Sequence, residues 1–270
     1  MVSKKIVLIE RKENIATVIM NNHEKRNMLS REMRAGLNEA FEELQNDDSI
    51  DVVITTGAGT AWSAGVSGEV LMAGLAAGRR GERPGSGQFR RNVIREFPKV
   101  TIAAVNGYCL GGAISLLNSH DLAIASEEKA VFGLPEVFRG YPPGGDLAKS
   151  CSMASSPKWA LDMALTGDNI DARTAQMAGL VSRVVPHDKL LETAFLWAKE
   201  ISRWDKITLE YTKKMYYAAM EEPNFYKAVD LVSLIYQEHN RVNPIAYQGM
   251  SDFLAKKGIK ATAMAKWMKP

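Results

Sequence analysis

Two segments with the same order of residues constrain the fold of this chain most strongly. In each of them a β-branched apolar run leads into glycines and then into a helical pattern, once over residues 51–77 and again over 101–118. Strands that alternate with helices in this way are typical of parallel α/β units. The sequence therefore predicts an α/β fold with a largely buried sheet.

The glycine turn of the second segment predicts a site for a substrate oxygen. It reads Val105-Asn-Gly-Tyr-Cys-Leu-Gly-Gly-Ala-Ile-Ser115, so that two glycines separate the strand from the helix. The first turn of a helix leaves main-chain N–H groups without acceptors, and its dipole favours negative charge. The turn Ala61-Trp-Ser-Ala-Gly-Val66 could supply a second N–H to the same oxygen, which would form an oxyanion hole. Glycines that serve tight packing alone would give the same pattern.

The remaining periodicity divides the chain into two regions. Residues 6–10 and 15–20 predict an antiparallel hairpin, and Ser30 is the expected N-cap of the helix that follows. After Pro186 the chain is helical throughout. We therefore predict a core over residues 1–186 and a helical region over 187–270. The glycine- and arginine-rich run 76–88 is predicted to be a loop, either a surface insertion or a clamp for phosphates.

Composition excludes several classes of protein. The 34 basic and 31 acidic residues give a net charge of only +3, so we expect no nucleic-acid partner. No apolar run approaches the roughly 18 residues that a membrane span needs. The two cysteines, Cys109 and Cys151, lack metal-site spacing and are expected to be reduced, and no signal peptide is recognised. We expect a cytoplasmic protein without a metal site.

Glu136 is the strongest acid/base candidate. It ends the segment Phe132-Gly-Leu-Pro-Glu136, where apolar neighbours would desolvate the carboxyl group and raise its pKa towards neutrality. The alternative is a carboxylate that only satisfies N–H groups at the start of a helix. Asp146 follows Pro142-Pro-Gly-Gly145, where it is the expected N-cap of the next helix.

Five segments, in order and at matching spacing, resemble the crotonase (enoyl-CoA hydratase/isomerase) superfamily. They are Asn21-Asn-His-Glu-Lys-Arg-Asn-Met-Leu-Ser30, Ala61-Trp-Ser-Ala-Gly-Val66, Val105-Asn-Gly-Tyr-Cys-Leu-Gly-Gly112, Val131-Phe-Gly-Leu-Pro-Glu-Val137 and Ala175-Gln-Met-Ala-Gly-Leu-Val-Ser-Arg-Val-Val185. The resemblance implies a spiral of ββα units and a C-terminal helical region that assembles a homotrimer or a dimer of trimers. It also implies an acyl-CoA substrate, with no cofactor beyond the coenzyme A that this substrate carries.

The resemblance assigns roles to individual residues. The amides of Val66 and Gly112 would polarise the thioester carbonyl, and Glu136 matches one of the two catalytic glutamates of enoyl-CoA hydratases. Lys25 and Arg26 lie where family members bind nucleotide phosphate. Ala64 lies where main-chain groups of family members bind adenine. Asp146 lies close to the nucleophilic aspartate of crotonase-type dehalogenases, which makes it an alternative nucleophile.

The second hydratase glutamate is replaced by Ser115. A single glutamate is found in enoyl-CoA isomerases and in the 4-hydroxycinnamoyl-CoA (feruloyl-CoA) hydratase-lyases, which this chain resembles most closely. In those lyases two tyrosines contact the phenolic oxygen of the substrate, whereas here Leu71 and Leu231 occupy these positions, leaving Tyr141 or Tyr236 as substitutes. The leucines imply an apolar, aryl or alicyclic acyl group.

We therefore expect an enzyme that adds water to an α,β-unsaturated acyl-CoA, with retro-aldol cleavage as a following step. Ser115 would help Glu136 to hold the water, or would be merely a small helix residue. Two alternatives remain open at this point. One is an enoyl-CoA double-bond isomerase that uses the same glutamate, and the other is a CoA-binding scaffold without catalytic activity.

Overall fold

The computed structural model describes residues 5–80, 92–144 and 147–254. Its strands are β1 Val7–Lys12, β2 Ile15–Met20, β3 Val52–Gly57, β4 Ala61–Ser63, β5 Val100–Val105, β6 Tyr108–Leu110, β7 Leu122–Ser126, β8 Val131–Gly133, β9 Asn169–Asp171 and β10 Arg183–Val185. Its α-helices are α1 Arg31–Gln45, α2 Gly68–Arg79, α3 Asn92–Arg95, α4 Gly112–Leu117, α5 Leu147–Ala154, α6 Pro157–Thr166, α7 Ala172–Ala178, α8 Leu190–Ile201, α9 Lys206–Glu221, α10 Phe225–Val242 and α11 Pro244–Leu254.

The strands form two sheets through a repeated ββα unit. Within the described ranges, one sheet has the order β1-β2-β3-β5-β7-β10 and the other the order β4-β6-β8-β9. The pairs β3–β4, β5–β6 and β7–β8 each place their first strand in the larger sheet and their second strand in the smaller one. The first two pairs continue into helices α2 and α4, and the third into a 3-10 turn, Pro135–Arg139. The α/β spiral expected from the sequence is confirmed.

The interior of the larger sheet is apolar and parallel. Strands β1 and β2 form the predicted antiparallel hairpin, whereas β2, β3, β5, β7 and β10 pair in parallel. Every residue of β3 and β5 is buried. Their β-branched and alanine side chains therefore suit a sheet that is covered on both faces.

Helix α1 covers this sheet and begins where the sequence predicts. The Ser30 side chain accepts a hydrogen bond from the main-chain N–H of Met33 at 3.2 Å, which is an N-cap contact. One face of the helix is buried, and it consists of Met33, Leu37, Ala40, Phe41 and Leu44. The spacing of these residues gives a single apolar stripe, so burial against the sheet stabilises the helix along its whole length.

The chain divides into two compact units, Met1–Arg203 and Trp204–Pro270. The first unit includes α8, which packs against β3, β5 and β7, whereas the sequence analysis placed the boundary at residue 186. In the second unit, α9 packs against α10. The Asn243 side chain connects the ends of these helices, donating hydrogen bonds to Asp205 Oδ2 at 2.6 Å and to Thr208 Oγ1 at 3.0 Å. The role of these helices in oligomer assembly stays a prediction.

Helix α2 and the two cysteines bear on further predictions from the sequence. Helix α2 continues to Arg79, so the first part of the predicted loop 76–88 is helical, and residues 81–88 lie outside the described residues. Both cysteines are free and buried. None of the helices in the described ranges combines the length and the apolar character that a membrane crossing requires.

Candidate active site

The site lies at one edge of the smaller sheet. Strands β4, β6 and β8 pair in parallel, so their carboxyl ends meet at the same edge. The chain leaves these strands through residues 64–67, Gly111 and Leu134 respectively. Groups that are distant in the sequence therefore meet here, as ligand-binding segments do at the carboxyl edge of parallel sheets.

The junctions after β4 and β6 are in direct contact. A Cβ atom built on Gly112 would lie 3.5 Å from the Val66 main-chain nitrogen and 2.5 Å from Val66 Cγ2. A Cβ atom on Gly65, whose φ is +86°, would lie 2.4 Å from the Leu110 carbonyl oxygen and 3.3 Å from the Gly112 nitrogen. The glycines thus allow the two chain segments to approach so closely, and they place the amides of Val66 and Gly112 side by side.

Main-chain hydrogen bonds hold both junctions in place. The N–H of Leu29 donates to the Gly65 carbonyl oxygen at 2.8 Å, and Leu29 forms an isolated parallel bridge with Val66. The N–H of Gly111 donates to the Gly133 carbonyl oxygen at 2.9 Å. Since each junction is tied to a neighbouring strand or loop, the two amides are positioned before any ligand binds.

Helix α4 starts at the second junction. Gly111 has φ +54° and ψ −127°, a main-chain conformation that residues other than glycine rarely adopt. Gly112 is the first helical residue. The N–H of a first helical residue has no acceptor within its own helix. Residues 113–117 are all buried, so the helix is fixed by packing and its free N–H end remains at the edge of the sheet.

Glu136 lies beside this helix start. It belongs to the 3-10 turn after β8, and only 7% of it is exposed. Its Oε1 would be 2.7 Å from a Cβ atom on Gly111, so the missing side chain of Gly111 makes room for the carboxylate. Its Oε2 is buried without a hydrogen-bond partner within the part of the chain that the structure describes.

The environment of Glu136 changes its protonation equilibrium. Burial raises the pKa of its carboxyl group, while its own main-chain N–H and the positive charge of Arg139 lower this pKa by a smaller amount. The net direction is the one that the apolar sequence around Glu136 predicts. A carboxyl group with a raised pKa can both accept and donate a proton near neutral pH.

Ser115 is fully buried in α4, one turn after its first residue. Its carbonyl oxygen accepts a hydrogen bond from Ser119 Oγ at 2.9 Å, which is an ordinary contact within a helix. The structure therefore places a small, uncharged side chain where the hydratase resemblance expects a second carboxylate. Its role in holding water stays a prediction.

The residues predicted to bind CoA are partly brought together. Lys25 and Arg26 are exposed in the loop after β2, and Arg26 adopts a left-handed conformation with φ +49°. The Arg26 carbonyl oxygen accepts a hydrogen bond from the Ala64 N–H at 2.9 Å. The candidates for binding phosphate and adenine therefore lie on adjacent segments.

Asn27 organises these segments, and the sequence analysis did not identify it. It is fully buried, and its Nδ2 donates hydrogen bonds to the carbonyl oxygens of Ala58 at 2.9 Å and Ala61 at 2.8 Å. The main-chain carbonyl oxygen of Asn27 accepts a hydrogen bond from Ser63 Oγ at 2.8 Å. These partners are distant in sequence, so the pattern of residues around Asn27 gives no local signal of them.

The other candidates lie on other elements or outside the described residues. Leu71 is partly exposed on α2, close in sequence to Val66. Leu231 is 41% exposed on α10, in the second compact unit. Asp146 lies outside the described residues, so neither its capping role nor its role as an alternative nucleophile has structural support.

Comparison with known proteins decides the family. A family model described as enoyl-CoA hydratase/isomerase matches residues 10–261. The chain belongs to this family. It is 32% identical to the hydroxycinnamoyl-CoA hydratase-lyase of Pseudomonas fluorescens over 266 residues, which cover 95% of this chain and 94% of that protein.

Solved structures show the same crotonase fold. An enoyl-CoA hydratase subunit I from Geobacillus kaustophilus HTA426 aligns with a TM-score of 0.83 and 26% identity, covering 93% of this chain and 95% of its own. A monofunctional enoyl-CoA isomerase from Mycobacterium smegmatis aligns with a TM-score of 0.68 and 29% identity, covering 84% and 99% respectively. This crotonase is therefore an enzyme of the enoyl-CoA hydratase/isomerase type.

Proposed function

We propose that this crotonase adds water across the double bond of an α,β-unsaturated acyl-CoA. The observation that carries the proposal is the adjacency of three groups: the amides of Val66 and Gly112, and the buried carboxylate of Glu136 against Gly111. Two N–H donors next to one proton carrier are what a reaction through a thioester enolate requires.

In the proposed reaction the thioester oxygen accepts hydrogen bonds from the Val66 and Gly112 amides. Glu136 removes a proton from water as the oxygen of that water bonds to the β-carbon, and the double-bond electrons move onto the thioester oxygen. The resulting enolate then takes the same proton back from Glu136 at the α-carbon. One carboxylate is sufficient, because it acts first as a base and then as an acid.

The relationship to a hydratase-lyase supports a second step. Removal of the proton from the new β-hydroxyl group would break the bond between the α- and β-carbons, releasing an aldehyde and the enolate of acetyl-CoA. The same two amides would stabilise that enolate, and a proton at its α-carbon would complete acetyl-CoA. This step needs no group beyond those used for hydration.

The acyl group is proposed to be apolar and bulky, such as an aryl or alicyclic ring. Leu71 supports this proposal because it lies on the helix that directly follows Val66. Leu71, Met72 and Leu75 are partly or largely exposed on this helix, which has no fully buried residue. An apolar ligand would remove such side chains from water at a gain of about 25 cal/mol for each Å².

The coenzyme A is proposed to lie along the joined segments after β2 and β4. Lys25 and Arg26 are exposed cations that suit its phosphates. The Ala64 N–H already donates a hydrogen bond to the Arg26 carbonyl oxygen. The carbonyl group of Ala64 would therefore be the one that accepts a hydrogen bond from adenine. Asn27 would act indirectly by fixing the shape of the loop that carries both cations.

Double-bond isomerisation is the second candidate function, and Ser115 is the observation that favours it. A buried serine occupies the position of the second hydratase glutamate, and one carboxylate is enough to move a proton between two carbons. The similarity to a monofunctional enoyl-CoA isomerase is consistent with this chemistry. In this reaction no water would be added.

A screen of CoA thioesters by mass spectrometry tests both functions. Aryl, alicyclic and linear enoyl-CoA substrates would be incubated with the enzyme, and the masses of the products would be measured. A mass gain of one water supports hydration, and acetyl-CoA together with an aldehyde supports hydration followed by cleavage. An unchanged mass with a shifted double bond would instead establish the isomerase.

A further inference from the structure

Tyr141 follows the 3-10 turn that carries Glu136, and the proposed hydration as described above gives it no role. The 3-10 turn that carries Glu136 ends at Gly140, whose φ of +75° reverses the chain. The main-chain N–H of Tyr141 consequently points back to the Glu136 carbonyl oxygen at 3.5 Å. The Tyr141 side chain is partly buried, so its phenol is neither fully solvated nor part of the core.

The two side chains interact electrostatically. Burial raises the pKa of Tyr141, the nearby Glu136 carboxylate raises it further, and Arg139 lowers it. Tyr141 is therefore a neutral phenol near neutral pH, with one O–H to donate. The Glu136 Oε2 atom is buried without a partner among the described residues, so the phenol does not hydrogen-bond to it directly.

We infer that the Tyr141 hydroxyl and Glu136 Oε2 together hold the water that attacks the β-carbon. A water molecule between them would accept a hydrogen bond from the phenol and donate one to the carboxylate. The second lone pair of the water oxygen would then be free to attack the β-carbon. The phenol would thus do the positioning that a second carboxylate does in other hydratases. This inference rests on the proposed hydration, because an isomerase holds no reacting water.

The alternative holder of this water is Ser115, which lies in α4 rather than in the loop after Gly140. Three variants separate the possibilities: Tyr141→Phe, Ser115→Ala and the control Tyr108→Phe. Tyr108 belongs to the same compact unit and is 40% exposed on β6, so loss of its hydroxyl group tests the generic cost of removing a phenol. Each replacement keeps the size of the side chain nearly unchanged.

The decisive experiment measures two reactions of each variant. The first is hydration of the enoyl-CoA that the substrate screen identifies, and the second is exchange of the α-hydrogens of the matching saturated acyl-CoA with deuterium oxide. Exchange needs Glu136 and the two amides but no positioned water. We expect Tyr141→Phe to lower kcat for hydration by about three- to tenfold, while exchange stays within about twofold of the wild type.

Equal losses in hydration and exchange would show that Tyr141 has only a structural role and would overturn the inference. Full hydration by Tyr141→Phe would overturn it as well, and loss of hydration in Ser115→Ala alone would assign the water to Ser115. A wild-type enzyme that isomerises every substrate without adding water would remove the proposed function and this inference together. Hydration by the wild type that is insensitive to Tyr141→Phe would remove the inference alone.

Discussion

The Val66 amide nitrogen lies 3.5 Å from the position that a Cβ atom on Gly112 would occupy, although the two residues belong to different ββα units. This contact exists because β4 and β6 are parallel neighbours whose carboxyl ends share an edge. It brings two main-chain donors to one point without the use of side chains. The proposed chemistry depends on this arrangement.

Removal of the Gly112 donor tests the oxyanion hole. A Gly112→Pro change deletes the N–H at the first position of a helix, where proline is well tolerated, but its ring would meet Val66 Cγ2. We therefore specify Gly112→Pro in a Val66→Ala background, with Val66→Ala alone as the control. The double variant should lose about 10²–10³ in kcat relative to the control. Near-equal turnover of the two folded proteins would refute the assignment.

Glu136→Gln tests the proton carrier. The amide keeps the size of the side chain but cannot transfer a proton, so steady-state kinetics should show a kcat at least about 10²-fold lower. Affinity for a saturated acyl-CoA, measured by calorimetry, should change little, because the carboxylate acts on the reacting atoms and not on the CoA. Asp146→Asn is the matched carboxylate control and should keep its activity. The reverse pattern would indicate nucleophilic carboxylate chemistry at Asp146.

Ser115→Ala should be milder than Glu136→Gln. The change removes one neutral hydroxyl group, and a neutral hydrogen bond contributes about 0.5–1.5 kcal/mol, which is roughly tenfold in rate at most. The measurement is kcat for the same substrate under the same conditions. A loss as large as that of Glu136→Gln would mean that Ser115 takes part in proton transfer.

The ionised Glu136 carboxylate should also lower the free energy of unfolding of the protein. Its pKa is raised in the folded state, so the native protein binds this proton more tightly than the unfolded chain does. The free energy of unfolding should therefore fall as the pH rises from the ordinary carboxyl pKa through the raised one. Glu136→Gln lacks this loss and should be more stable than the wild type near neutral pH.

Denaturant unfolding at two pH values checks this expectation. The stabilisation by Glu136→Gln should disappear below the ordinary carboxyl pKa, where the wild-type side chain is also neutral. Glu42→Gln, which changes an exposed carboxylate of α1, serves as the control for replacing a carboxylate that is not buried. A stabilisation by Glu136→Gln that is independent of pH would point to packing in place of desolvation.

Local signals made much of the fold and site predictable. Ser30 caps α1 because its side chain bonds three residues ahead, and such a contact is visible in the sequence. Gly111 and Gly112 likewise predict a strand-to-helix junction. The main-chain conformation that favours glycine there is set within the turn itself. The apolar neighbours of Glu136 predict its raised pKa, because desolvation comes partly from adjacent residues.

Contacts between distant segments could not be read in this way. The bonds from Asn27 to Ala58 and Ala61 depend on the packing of one loop against another, and no spacing rule connects them. Helix α8 shows an amphipathic pattern that predicts a buried face, but the pattern does not say that the face packs on β3 and β5. The boundary after Arg203 follows from that packing.

The central claim is that Glu136 transfers a proton between water and an enolate held by the Val66 and Gly112 amides. Its most direct test is one incubation of the enoyl-CoA substrate in water labelled in both hydrogen and oxygen, with wild-type enzyme and Glu136→Gln in parallel. The account predicts that the wild-type product carries labelled oxygen at the β-carbon and one deuterium at the α-carbon, and that the variant forms at least about 10²-fold less of it. Deuterium without labelled oxygen in the wild-type product, or equal product from both proteins, would contradict the claim.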